Sequence, residues 1–210
     1  MNTIEQILRQ QTEGLREMFV QKIKTYAEKE LANAITVHSR TIEEWCKMFG
    51  VEPKLDTERM SFNAYLVEQG KAEPKGNIYK FPDSFYEQKL IKNTYRGYTQ
   101  TMMVYVNENY IKYNELWSKT RETYTQRENY VENAVKKAEQ HYENSIKKVV
   151  CRLIQKGFTN ENMTVMSATL SVHTGFEMTL KNTENGQYVK CFTIIAEGPV
   201  QRPHYRFLVK

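Results

Sequence analysis

Residues 98–156 read YTQTMMVYVNENYIKYNELWSKTRETYTQRENYVENAVKKAEQHYENSIKKVVCRLIQK, with neither glycine nor proline. A run of 59 residues without a breaker is hard to build as anything but helix. Unbroken, it would reach about 90 Å at 1.5 Å per residue, beyond the width of a compact domain of this size. It must therefore project, pair with other chains or fold back on itself. From Val106 through Tyr110, Tyr113, Trp117 and Thr120 to Tyr124 the spacing is 4, 3, 4, 3, 4, the seam period of a coiled coil. Polar Arg127 and Glu128 interrupt that seam and mark where a helical hairpin would turn. Such a turn would lack Gly or Pro, so one long helix is the preferred reading and the hairpin the alternative.

The C-terminal end of this run is basic, with Lys147, Lys148, Arg152 and Lys156 ahead of Gly157 as its C′ residue. Cations there complement the helix macrodipole, which explains the cluster at least as well as phosphate binding does. Beyond it the texture changes. Residues 163–172, the alternating Phe176, Met178 and Leu180, residues 188–196 and residues 205–209 read as four strands. Asn185-Gly186 predicts a type I′ hairpin between the second and third. A meander of this kind needs a covered apolar face, and the end of the long helix or a second subunit would supply it.

On the N-terminal side, residues 3–38 carry apolar positions at spacings of mostly three and four and predict a helix that tolerates Gly14. Thr41 and Glu44 form a capping box, and Gly50 ends the short helix that follows. Asp56 caps another, ended by Gly70. Residues 71–83, with Pro74, Gly76 and Pro82, form the linker; Ile78, Tyr79 and Phe81 within it suggest that it packs down. Ser84 and Glu87 give a second capping box, predicting a helix through Leu90, Ile91 and Tyr95 that Gly97 kinks or ends. The fold class is thus α+β. A helical region spans 1–70, a linker 71–83 and a long helical segment 84–157, and an antiparallel sheet over 158–210 packs on the end of the long helix.

Composition sets outer bounds. Hydrophobic residues make up 40% and charged residues 26%, as in an ordinary globular chain rather than a disordered one. The net charge is +5, and most of the excess lies between residues 98 and 157. Cys46, Cys151 and Cys191 are widely spaced, form no CxxC and read as small buried hydrophobes. The N-terminus is not a signal peptide, and no apolar run approaches a membrane span, so a cytoplasmic location is expected. The abundance of Lys, Asn, Tyr, Ile and Glu fits an AT-rich genome, such as that of a bacterium or its phage.

No glycine-rich phosphate loop, GxSxG or HExxH occurs, and neither catalytic residues, cofactor nor metal is expected. The segment from Arg40 to Val51 resembles the first half of a helix-turn-helix, with Trp45 or Cys46 where a small residue usually packs. The following helix offers only Arg59 and Asn63 as base readers, beside Glu58 and Glu68, so a generic helical corner is the ordinary reading. His173, Glu177, Glu197 and His204 come from the sheet or its loops. Together they would make an acid/base or metal site for a small hydrolase or nuclease; polar turn and edge positions are the ordinary reading.

The functional expectation is a non-enzymatic interaction or assembly protein, a homo-oligomer or partner-binding chain. Tyr105, Tyr110, Tyr113, Trp117 and Tyr124 are its partner surface, because large rigid aromatics dominate interface energetics. The alternative is a nucleic-acid-binding protein using Lys147, Lys148, Arg152, Lys156, Arg202 and Arg206.

Overall fold

A computed structural model describes residues 3–171, 175–197 and 203–209. The chain is α+β and divides into two compact units. Unit 1 joins the residues up to Leu31 to those from Gln126 onward, and unit 2 holds Ala32–Thr125. Helix α1 (Ile4–Ser39) contributes its first part to unit 1 and its last turns to unit 2.

In unit 1, helix α5 (Tyr130–Gln155) shows why its sequence is helical. Ala138, Tyr142, Ile146, Val149 and Leu153 recur every three or four residues and are all buried along one stripe. They pack with Ile4, Leu8, Leu15 and Phe19 of α1 and with the inner face of the sheet. The two helices are also clamped by polar contacts. Arg9 makes a two-pronged pair with Glu143 at 2.7 and 2.6 Å. The buried Thr12 and Tyr142 hydroxyls lie 2.6 Å apart, with Thr12 donating to the Leu8 carbonyl and so accepting from the tyrosine. Gly157, at φ +82°, ends the helix. Phe158 N–H reaches back to the Leu153 carbonyl and Gly157 N–H to that of Ile154, so the orphan carbonyls are satisfied while the Phe158 ring enters the core.

The sheet is an antiparallel meander in the order β5 (Met163–Ser171), β6 (Gly175–Asn182), β7 (Tyr188–Glu197) and β8 (Pro203–Val209). Met178, Leu180, Val189 and Cys191 bury one face against the helices, as strand alternation requires. The β6–β7 connection is wider than a two-residue type I′ turn. Residues 183–186 loop out, Asn182 N–H bonds the Gln187 carbonyl, and Gly186 has positive φ while Asn185 does not. The cause is the buried Asn182 side chain, which accepts from the N–H groups of Glu184 and Asn185 and donates to the Gly157 carbonyl.

In unit 2, α2 (Ile42–Phe49) carries the expected capping box at Thr41 and Glu44 and ends at Gly50. It buries Trp45 and Cys46. A two-residue strand β1 (Lys54–Leu55) pairs with β2 (Tyr79–Lys80) before and after α3 (Thr57–Glu68), which buries none of its side chains. The linker packs down: Phe81 and Phe85 join the core, and Asn63 holds residues 73–75 by hydrogen bonds to Glu73 and Lys75.

The breaker-free run is not one helix. A short 3-10 turn (Asp83–Tyr86) replaces the helix expected from Ser84. Strands β3 (Gln88–Tyr95) and β4 (Tyr98–Tyr105) then form an antiparallel ribbon, followed by α4 (Glu108–Thr125) and a four-residue turn before α5. The long helical segment expected over 84–157 thus begins only at Glu108 and is broken at 126–129. Absence of Gly and Pro excludes neither strand nor turn. Thr, Tyr and Val in 98–105 favour extended backbone, and 125–129 holds no apolar side chain whose burial would stabilise another helical turn.

Candidate functional site

The ribbon turns on Thr94-Tyr95-Arg96-Gly97-Tyr98-Thr99, in which the Thr-Tyr flanks mirror each other about Arg-Gly and face each other in register. Arg96 at φ +48° and Gly97 at φ +81° form a two-residue turn with both φ values positive, the geometry whose twist matches the strands. Among the described residues Arg96 is the one non-glycine with positive φ. A side chain there costs about 1 kcal/mol or more, and Asn or Gly would fit better. Tyr95 and Tyr98 stand opposite each other, 70% and 82% exposed, and the Arg96 guanidinium lies 5.3 Å from the Tyr95 ring centroid. Thr94 and Thr99 share a 3.0 Å hydroxyl contact.

Of the sixteen strand residues all but Val104 are exposed, although Ile91, Met102 and Tyr105 are each more than half shielded. Leu90 opposite Met103 and Ile91 opposite Met102 leave apolar side chains exposed near the base on both faces of the pleat. Lys92, Asn93, Gln100 and Thr101 make the outer half polar. From residue 88 to 107 the chain has Lys89, Lys92 and Arg96 and no carboxylate. Lys89 approaches Glu87 at 3.9 Å; among the described residues Lys92 and Arg96 make no ion pair.

The base is rigid. Val106 N–H closes the ribbon on the Glu87 carbonyl. The Asn107 side chain accepts from the N–H groups of Asn109 and Tyr110, capping α4, and donates to the Ser84 carbonyl. Tyr105 packs 4.5 Å from Tyr110, which meets Tyr86 edge-on at 5.3 Å. Desolvation, together with the hydrogen bond to Tyr105, pushes the Tyr110 hydroxyl up to about 12. Tyr113 stands edge-on to both Trp45 and Phe81, at 5.2 and 4.9 Å.

The proposed partner surface is thus placed as follows. Tyr110, Tyr113 and Trp117 pack on the buried core of Trp45, Cys46, Phe81 and Phe85. Tyr124 stacks on His38 at 4.4 Å, and Tyr105 lies at the ribbon base. Buried Thr120, within the same seam, donates to the Leu116 carbonyl and so accepts from His38 Nε2 at 3.1 Å. The 3.5-residue seam is occupied within the chain.

Lys147, Lys148, Arg152 and Lys156 are exposed at the end of α5. Arg202 and His173 lie outside the described residues, as do the side chains of Arg206, Glu197 and His204. Register sets His204 opposite Ala196 and Glu197 opposite Pro203, in adjacent rows rather than one. Glu177 is exposed and pairs with Lys190 at 2.6 Å. Among the described residues no group of three or more His, Cys, Asp or Glu side chains converges on a metal position. In the segment resembling a helix-turn-helix, β1 intervenes before α3, Arg59 pairs with Asp56, and Asn63 is occupied by the linker.

A groove of about 380 Å³ lies beside the aromatic core, lined by Tyr86, Tyr110, Tyr113, Asp56, Arg59 and Lys80. Of its cations, Arg59 pairs with Asp56 at 3.4 Å, while Lys80 lies 3.9 Å from Asp83, which it shares with Lys54. The ribbon residues Lys89, Lys92, Tyr95, Arg96 and Tyr98 were not legible as a site, although an acid-free run centred on an Arg-Gly pair with mirrored Thr-Tyr flanks was a signal for them. No known protein family, curated protein or solved structure matches this chain.

Proposed function

We propose that this chain is a non-enzymatic binding protein that engages its partner with the ribbon of unit 2. One observation carries the reading: a two-stranded ribbon buries neither face yet holds Leu90, Ile91, Met102, Met103, Tyr95 and Tyr98 outward. An isolated ribbon is marginally stable in water, and so many large side chains in one exposed element mark a surface that becomes covered. Its aromatic base supplies the preorganisation that binding rewards. The aromatics of α4 are the mount in this reading, and the ribbon makes the contact.

Capture from cell extract tests it, with the intact chain compared against a form whose residues 90–103 are replaced by a short Gly-Ser turn. Both protein and nucleic acid are scored. The expected result is capture that the shortened form loses while its melting temperature is kept. Equal capture by both forms overturns the ribbon as the contact. No capture by either, with a strict monomer in light scattering, overturns the binding reading.

A further inference from the structure

We infer that the partner of the ribbon is double-stranded DNA, entered through its major groove. This rests on the binding reading above and adds the chemistry of the partner. A two-stranded ribbon is one of the two elements the B-form major groove admits, whereas the major groove of an RNA duplex is too narrow for side chains to read. Eight residues per strand give an arm of about 25 Å, most of a helical turn of duplex.

Charge selects the polyanion. Lys89, Lys92 and Arg96 are distributed along the arm, Lys89 beside Glu87 at its base, and between residues 88 and 107 there is no carboxylate to repel phosphate. The same charges oppose edge-to-edge pairing with a second copy, since lysine on an open strand is a standard block to such pairing. The outer half has the groups that read or clasp a groove: the Asn93 and Gln100 amides opposite each other, the Thr94–Thr99 pair and two exposed tyrosyl hydroxyls. Leu90, Ile91, Met102 and Met103 provide apolar surface of the kind that meets thymine methyl groups. Finally, the cation at the tip occupies a left-handed position where Asn or Gly would fold better. A side chain held against local backbone preference points to a use for it.

The test is fluorescence anisotropy of a short labelled DNA duplex of mixed sequence against the full chain, with the matching RNA duplex as a second probe. Three phosphate contacts predict a slope of about −2.7 in log affinity against log salt, roughly a 40-fold loss between about 50 and 200 mM. Arg96→Asn keeps the turn, since Asn-Gly is the preferred pair there, and so is expected to melt no lower than the parent. It should nevertheless flatten the slope by about 0.9. Adding Lys89→Gln and Lys92→Gln should abolish most of the salt dependence and weaken binding at low salt by at least about tenfold. Absence of binding at low salt overturns the inference. So does unchanged binding by the triple variant, which would move the contact to Lys147, Lys148, Arg152 and Lys156. Equal affinity for the RNA duplex overturns the groove assignment. Ribbon-dependent capture of a protein without DNA binding overturns this inference and leaves the binding reading standing; failure of both assays removes both.

Discussion

Three cysteines occupy three environments. Cys46 and Cys191 are buried and Cys151 is exposed on α5. Burial raises the Cys46 thiol and pushes that of Cys191 up to about 12, so neither is a nucleophile near neutrality. In the native protein a thiol reagent is expected to titrate one group promptly and the other two only on unfolding. Two or more fast groups would contradict this packing. Sequence context read all three as buried and was wrong for Cys151, because a position beside an apolar stripe and one within it differ by a single helical step. His38 gives a second test at this scale. Burial holds its imidazole below the usual 6.5, partly offset by a hydrogen bond to the Trp117 backbone. A base depressed on folding binds protons more readily when unfolded, so its contribution is complete above about pH 6.5 and declines as pH falls through the folded value. Melting temperature should begin to drop below about pH 6.5, and His38→Gln should remove that step. The Glu143 carboxylate, lowered by its hydrogen bond to Arg9, acts in a separate window below its usual 4.5. A stability profile flat from pH 7 to pH 5 would refute the assignment to His38.

At the scale of elements, legibility followed the physics that each signal reports. The ends of α2, α3 and α5 at Gly50, Gly70 and Gly157 were readable because a left-handed C′ residue is a local requirement. The four strands of the C-terminal sheet were readable because one face is buried and the alternation shows it. The ribbon was not. With both faces exposed, its strands carry no period-two polarity, and absence of breakers is equally compatible with helix. Nor was the polar junction between α5 and the sheet visible, since its partners are distant in sequence. Asn162 and Asn182, both buried, each donate to the Gly157 carbonyl, and Asn162 also accepts from Thr159 N–H and donates to Glu184. Asn182→Ala leaves the N–H groups of Glu184 and Asn185 without their acceptor and is expected to cost about 1–3 kcal/mol in denaturant unfolding, with the slope unchanged. A loss under about 0.5 kcal/mol would mean that water replaces the side chain at this junction.

For the whole molecule, the chain order matters more than the number of elements. Unit 1 is assembled from the two ends of the sequence, and unit 2 from its middle. Ile4 N–H bonds the Asn160 side chain, and α1 shares one buried core with α5 and the sheet. Limited trypsin digestion should therefore cut first at the exposed Arg96 and yield fragments 1–96 and 97–210 that stay together on size exclusion, held by the unit 1 core. Separation without denaturant would contradict that core. Where the first segment of unit 1 ends and the second begins, the Tyr130 hydroxyl donates to Glu30 at 2.7 Å. Because the unit 1 core needs residues from both sides of 32–125, it cannot close until the whole of unit 2 has been synthesised, so unit 2 is the first of the two that a growing chain can complete.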